Sequence, residues 1–406
     1  MRFALKADTN FANSLFSGFK IWVVGGETVK VIHLISGGDT GGAKTHVLTL
    51  LENLRKQNID AELLCIMEGI FTVEAREKGI PVTVIPQEKR WDISVIKKIL
   101  TYINESGCDL VHCHGARANY IALFIMNKVE VPMITTLHSD YKLDFKGNAH
   151  KQMIYTPINA FALRRFGNIL AVTEAFKNML VKRGFKAERL HVIYNGIDFN
   201  RELKAVPPSE FMEKAGLFYD NSKKYVGIAA RMYAVKGVEV FLGAAKLLAE
   251  KHKDTVFLVL GDGEMMGECK RFVEENNLTE QVKLLGQIQG EELMNSYYSF
   301  VDINTLTSYS ESFPYALLEG ARYARATVAT AVGGIPEMIK DGETGYLAPS
   351  GNCQVLAEKI EKLLNDDSLR HKIGNNFYED AKERFSVERM AATHMDIYKA
   401  IINKEK

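Results

Sequence analysis

The sequence predicts an α/β protein of two doubly wound, parallel-sheet domains, and three observations carry that prediction. Short runs of β-branched and aliphatic residues alternate with longer segments of helical period. Glycine-rich turns follow several of these runs, as in Ser36-Gly37-Gly38-Asp39-Thr40-Gly41-Gly42 and Val332-Gly333-Gly334. The series breaks off after Asp198 and restarts at Tyr225, with a polar stretch bearing Pro207-Pro208 between. Strand-helix alternation makes a parallel sheet, and the restart divides the chain into two sheets rather than one.

Composition sets the bounds. With 406 residues, 47% hydrophobic and 25% charged, the chain can fill two domain cores. A formal net charge of +1 argues against a nucleic-acid partner bound through bulk charge. The five cysteines (Cys65, Cys108, Cys113, Cys269 and Cys353) are odd in number and scattered, which fits a reducing cytoplasm rather than a disulfide framework. His112-Cys113-His114 lacks a second Cys/His group at zinc spacing, so it is read as strand and no metal is expected. No apolar run reaches about 18 residues, so no transmembrane helix is expected.

Residues 1–28 stand apart. Lys6, Asp8 and Lys20 interrupt their apolar residues too often for a signal peptide. The expectation is a leader outside the working protein, arising from an upstream start assignment. Gly25-Gly26-Glu27 can be encoded as a bacterial ribosome-binding sequence ahead of a GTG start at Val29.

The first domain is placed at 29–200. It opens with strand Val31–Ile35, the glycine turn, and a helix from Ala43 to Lys56, whose start carries partial positive charge. Strands follow at Ala61–Met67, Val82–Ile85, Leu110–His114, Met133–His138, Ile169–Val172 and His191–Tyr194, separated by helical segments. His114 and His138 therefore stand at carboxyl ends of strands, where open α/β sheets bind ligands. From Tyr141 to Lys186 basic residues interleave with apolar ones, and Tyr155–Arg165 has the length for an amphipathic helix. That face is either simply solvated or a docking surface for anionic lipid.

The second domain, 201–385, begins with the polar connector and a strand at Tyr225–Ala230, followed by the cationic turn Arg231 to Gly237. Arginine forks onto two oxygens and lysine acts as a compact charge, a combination suited to a diphosphate. Strands at Thr255–Leu260 and Val282–Leu285 each end in a glycine turn, the second leading to Ile288. Ser299–Asn304 reads as a further buried strand and Ala316–Ala324 as helix, with Ser312 as N-cap and Pro314 in the first turn. The free amides of Phe313, Tyr315 and Ala316 would then attract an anion. Glu311 precedes this helix and Glu319 lies roughly 10 Å farther along its axis, a span that suits a nucleotide sugar.

The E-x7-E spacing of Glu311 and Glu319 resembles that of retaining glycosyltransferases with the GT-B fold, above all glycosyltransferase family 4. So do Asn195-Gly196-Ile197-Asp198, R-x4-K-G at Arg231 and Lys236, G-G-x-P-E at Gly333–Glu337 and D-G-x-T-G-x-L at Asp341–Leu347. The resemblance implies two Rossmann-like domains facing a cleft, with a C-terminal return helix (386–406) packed on the first. It implies transfer of a sugar from a nucleoside-diphosphate-sugar co-substrate to a hydroxyl of a glycan or lipid-linked acceptor, in polysaccharide or glycolipid synthesis. Such an enzyme would be cytoplasmic, peripheral to the inner face of the membrane, and would need neither cofactor nor metal. Arg231, Lys236, Glu311 and His138 would be the catalytic set. Gly41, Gly42, Ile288, Phe313, Tyr315, Ala316 and Glu319 would bind the donor. Many relatives have glycine where this chain has Pro314, which leaves the donor sugar open. Other readings are a nucleotide-sugar epimerase or phosphorylase on the same scaffold, a two-lobed solute-binding protein, and a dehydrogenase.

Overall fold

The computed structural model describes residues 23–24, 27–38, 41–87, 92–143, 149–288 and 290–405. Most of the expected leader lies outside these residues. Its described part is a two-residue ladder pairing β1 (Val23–Val24) with β2 (Glu27–Thr28).

The other strands are β3 (Lys30–Ile35), β4 (Asp60–Cys65), β5 (Val82–Val84), β6 (Leu110–His114), β7 (Met133–Leu137), β8 (Asn168–Ala171) and β9 (Leu190–Val192), then β10 (Lys224–Ala229), β11 (Thr255–Leu260), β12 (Val282–Gly286), β13 (Ile303–Leu306), β14 (Ala326–Thr330) and β15 (Tyr346–Ala348). They form two parallel sheets, a seven-stranded one in the order β5-β4-β3-β6-β7-β8-β9 and a six-stranded one in the order β12-β11-β10-β13-β14-β15. The expected α/β class with two parallel sheets is what the chain forms. In each sheet the winding reverses once, between β3 and β6 in the first and between β10 and β13 in the second. Ligands of open α/β sheets bind at such reversals, beyond the carboxyl ends of the strands.

The chain divides into two compact units: unit 1 is Met1–Thr136, Pro157–Asn168 and Thr393–Lys406, and unit 2 is Leu137–Thr156 with Ile169–Ala392. The end of the C-terminal helix, Val387–Glu405, thus groups with the first sheet, where the Tyr398 hydroxyl lies 2.6 Å from His112 Nδ1. The second sheet is covered on both faces, so all six residues of β11 are buried. Phe257 and Val259 pack with Phe241, Ile360 and Leu363 on one face. Val256, Leu258 and Leu260 pack with Tyr225, Tyr297 and Val301 on the other. Alternation along one strand therefore joins two cores.

Helix starts follow side-chain chemistry. Thr173 Oγ1 accepts from Phe176 N at 3.2 Å, Asn352 Oδ1 from Val355 N at 3.0 Å and Asp366 Oδ1 from Leu369 N at 2.8 Å. In the connector, Pro208 opens the helix Pro208–Lys214, where its missing N–H costs nothing. One expected strand is displaced: Ser299 and Phe300 end the helix Glu291–Phe300, and β13 starts only at Ile303. A short apolar run fits either element. The exit from the helix is set by Asp302, whose Oδ2 accepts from Tyr225 N at 2.8 Å. No helix among the described residues is long and apolar enough to cross a membrane.

Candidate active site

Unit 2 gathers several of the expected residues at the reversal between β10 and β13. After β10 the chain doubles back through Arg231 to Gly237, held by Met232, whose N donates to Asp262 O at 2.9 Å and whose side chain is buried. Anchoring Met232 leaves its neighbours Arg231 and Tyr233 exposed, with the guanidinium 5.6 Å from the Tyr233 ring centroid. Gly237 ends the turn at φ 62°, and a Cβ there would lie 2.2 Å from Thr307 O. Thr307 Oγ1 returns a hydrogen bond to Gly237 O at 2.8 Å, and Tyr309 N donates to Val235 O at 2.8 Å. The two loops are thereby one rigid piece.

This splice sets Lys236 against Glu311. Lys236 Nζ and Ser308 Oγ each donate to Glu311 Oε1 at 2.6 Å. The carboxylate is almost buried at 9% side-chain exposure and the ammonium is at 20%, so solvent screens the pair weakly. Behind Glu311 stands Gly333, at φ 53°, where a Cβ would fall 1.7 Å from Glu311 O. Only glycine allows that approach.

Arg231, Gly261, Asp262, Gly263, Ile288 and Glu319 line one cavity of about 510 Å³ beside β10 and β11. Burial pushes the Glu319 carboxyl above the ordinary glutamate value, while the neighbouring Tyr298 hydroxyl and Arg322 pull it partly back. Tyr298 also lines the cavity, with its hydroxyl beside the Glu319 carboxyl. The cavity thus offers a cation, a carboxylate and a phenol. Among the described residues, Lys236 and Glu311 do not belong to this lining; they form the separate ion pair.

The helix expected to receive the anion runs Tyr315–Arg322, and its N-cap is Pro314 rather than Ser312. Proline supplies neither a cap side chain nor a donor, so Ser312 is corrected from the capping role. The Phe313 side chain belongs to the core, 5.2 Å from the Phe385 ring and 5.8 Å from Tyr194, which leaves only its backbone to meet a ligand. Ala316 O accepts from Asn304 Nδ2 at 3.2 Å, tying the helix to β13. Tyr315 is half-buried, its hydroxyl has no hydrogen-bond partner among the described residues, and burial pushes its pKa up. His138 follows β7 half-buried and groups with unit 2. Gly41 is the N-cap, at φ 68°, and Gly42 the first residue of helix Gly42–Lys56 in unit 1.

Sequence reasoning missed Ser308, Tyr298 and the role of Glu337. Glu337 accepts from Glu174 N at 2.8 Å and Ala175 N at 2.7 Å, capping the helix Glu174–Lys182, and from Tyr194 Oη at 3.0 Å. Burial, and then this carboxylate, push the Tyr194 phenol up to about 12. The G-G-x-P-E pattern flagged Glu337, but its partners lie more than 140 residues away in the chain.

Comparison with known proteins agrees with this architecture. The model of "Glycosyl transferases group 1" matches residues 211–380, and that of "Glycosyltransferase Family 4" matches residues 40–201. An uncharacterized glycosyltransferase of Methanocaldococcus jannaschii is 28% identical over 89% of this chain and 95% of its own. The alpha-D-kanosaminyltransferase of Streptomyces kanamyceticus is 27% identical over 71% of this chain and 76% of its own. Among solved structures, Anabaena HepE in complex with UDP superposes with a TM-score of 0.77 at 22% identity, covering 92% of this chain and 100% of that one, and shares the fold. With its two halves matched by these paired models and its two parallel sheets of the GT-B class, the chain belongs to the family 4 type of glycosyltransferases.

Proposed function

We propose that the protein transfers a sugar from a nucleoside-diphosphate-sugar donor to a hydroxyl of a glycan or lipid-linked acceptor, with retention of anomeric configuration and without a divalent ion. What supports this reading is the meeting of Arg231, Ile288 and Glu319 around one cavity, next to the Lys236–Glu311 pair. The bond between the anomeric carbon and the diphosphate breaks, and its electron pair leaves with the diphosphate. The acceptor oxygen bonds to the same face of the sugar, and its proton passes to a donor phosphate oxygen.

Arg231 and Lys236 stabilise the charge growing on the leaving diphosphate, which is why no metal is required. Glu319 receives the ribose hydroxyls, and Ile288 borders the base through its backbone. Lys236 and Ser308 both occupy Oε1 of Glu311, so Oε2 is the oxygen that accepts from a donor-sugar hydroxyl. His138 orients the sugar. The acceptor side has its own candidate surface: helix Ala149–Arg165 exposes Met153 and Phe161 and ends in Arg164 and Arg165, a composition suited to anionic lipid. Arg183 is no part of it, since Asp140 holds it by two bonds of 2.6 and 2.7 Å. Equal sedimentation with neutral and anionic vesicles at low salt would dispose of that surface.

The deciding experiment is a thermal-shift panel of nucleotide sugars, followed by NMR of the product's anomeric proton in the presence of EDTA. A donor at 100 times its Kd should add about 2.7 kcal/mol of stability. An inverted product, or turnover that is lost in EDTA and restored by magnesium or manganese, would overturn the retaining or the metal-free part respectively. Donor consumed with no acceptor product would point to epimerase chemistry.

A further inference from the structure

Unit 1 contains a cluster the proposed reaction does not use. His33 on β3 is in register with His112 on β6, and His114 follows two residues later on the same strand. Residues two apart on a strand share a face, so three imidazoles project together from the middle of the sheet. The helices over that face add His46 and His394, whose rings lie 6.2 Å from His114 and 5.9 Å from His112. All five are 0–1% exposed. Histidine is uncommon in full burial, and half of the chain's 10 histidines meet here.

We infer that His33, His112 and His114 form a structural zinc site. One ring nitrogen from each lies within 4.8 Å of the others. The closest pair, His33 Nδ1 and His114 Nε2, is 3.0 Å apart. Tetrahedral zinc with Zn–N bonds of about 2.0–2.1 Å holds its nitrogens roughly 3.4 Å apart, so that pair opens slightly and the third nitrogen moves inward by up to about 1.4 Å. Zinc between His33 Nδ1 and His114 Nε2 takes both lone pairs, and each ring then carries its proton on the far nitrogen. On His33 that far nitrogen, Nε2, is buried and has no protein hydrogen-bond partner among the described residues, so it is open to hold the proton.

His112 is already oriented. Its Nδ1 lies 2.6 Å from the Tyr398 hydroxyl and its Nε2 2.7 Å from Thr136 Oγ1. Whichever hydroxyl yields to the metal, the other keeps the ring in place, as a second hydrogen bond does for metal-bound histidine. Cys113, between the two histidines, faces the opposite side of the strand. The donor set is therefore all imidazole, which favours zinc, copper or nickel over magnesium and calcium. His46 or His394 supplies the fourth donor. Since Tyr398 and His394 sit on the C-terminal helix, the ion would fasten the end of that helix, residues 393–405, to the sheet of unit 1.

The test is calorimetric titration of the full chain, first dialysed against a chelator, with zinc alone and with magnesium alone. The expected result is one zinc per chain with no response to magnesium, and affinity lowered about 100-fold or more in both His33→Leu and His114→Gln. No zinc uptake, uptake that both substitutions leave intact, or equal binding of magnesium would overturn the site. Should either variant fail to fold, the wild-type cobalt(II) spectrum decides. Strong tetrahedral d–d bands support the site, and a weak octahedral spectrum refutes it.

Discussion

The reversal between β3 and β6 in the first sheet and that between β10 and β13 in the second are topologically alike, yet they are filled with opposite chemistry. The second carries charge in partial contact with solvent: Arg231 is exposed, and Lys236 meets Glu311 at 2.6 Å. The first carries imidazoles shut away from water, and burial holds His33 down to about 3 from an ordinary value of 6.5. One winding rule thus places a solvent-facing charged loop in one sheet and a buried imidazole cluster, which we assign to zinc, in the other. Topology supplies the location and side chains supply the chemistry.

The sharpest way to break this contrast is to remove its charge. Lys236→Ala and Arg231→Ala should each lower turnover by on the order of 100-fold, read as initial rates with a melting curve to confirm folding. Near-normal rates in either would remove the phosphate role from this loop. Lys236→Ala also strands Glu311 with Ser308 alone, so a drop in Tm is expected alongside the rate.

A pH series sharpens the same comparison, because the two regions respond in opposite directions. The unfolded chain protonates His33 near pH 6.5 while the folded one resists down to about 3. Stability is therefore lost as pH falls across that window, at up to about 1.4 kcal/mol per pH unit. Chemical denaturation of a folded His33→Leu should show a shallower acid limb. Glu319 behaves inversely, since its folded pKa is raised. The stability that goes with its protonated form is complete below the ordinary glutamate value and is lost as pH rises through the raised one. Glu319→Gln should be more stable than wild type at neutral pH and equal to it in acid; an unchanged difference across the series would count against a buried carboxyl.

The smallest effect belongs to Ser308. It gives Glu311 one hydrogen bond at 2.6 Å, so Ser308→Ala should cost about 1 kcal/mol and a few-fold in rate, mostly in KM for the donor. A change in kcat alone would assign Ser308 to the chemical step instead.

Much of this was legible before any coordinates, and the limits are physical. Period and glycine turns placed the two sheets, while the residues of the R-x4-K-G and E-x7-E spacings divide, Arg231 and Glu319 lining one cavity and Lys236 and Glu311 forming a separate pair. Phe300 was assigned to a strand because a short apolar run does not distinguish a helix end from a strand start. Ser312 reads as a cap because its residue type favours one, but Pro314 takes the position and the helix begins at Tyr315. The histidine cluster is only partly legible: His112-Cys113-His114 reads as strand with no metal, because the histidine that joins them is remote in the sequence. His33 and His114 are 81 positions apart, and no local spacing announces a pairing that the sheet register creates. Glu337 and its helix, 163 positions apart, escaped notice in the same way.

Gly237 also constrains how this protein can change over time. Every glycine codon is a single nucleotide from an alanine codon, so that substitution will arise often. Yet a methyl at 237 would meet Thr307 O at 2.2 Å on a backbone already at φ 62°. Drift is therefore barred beside Lys236 by backbone geometry, independently of selection on the lysine itself. New specificities should arise instead through the exposed neighbours Tyr233, Ala234 and Val235, which can vary without disturbing the splice between the two loops.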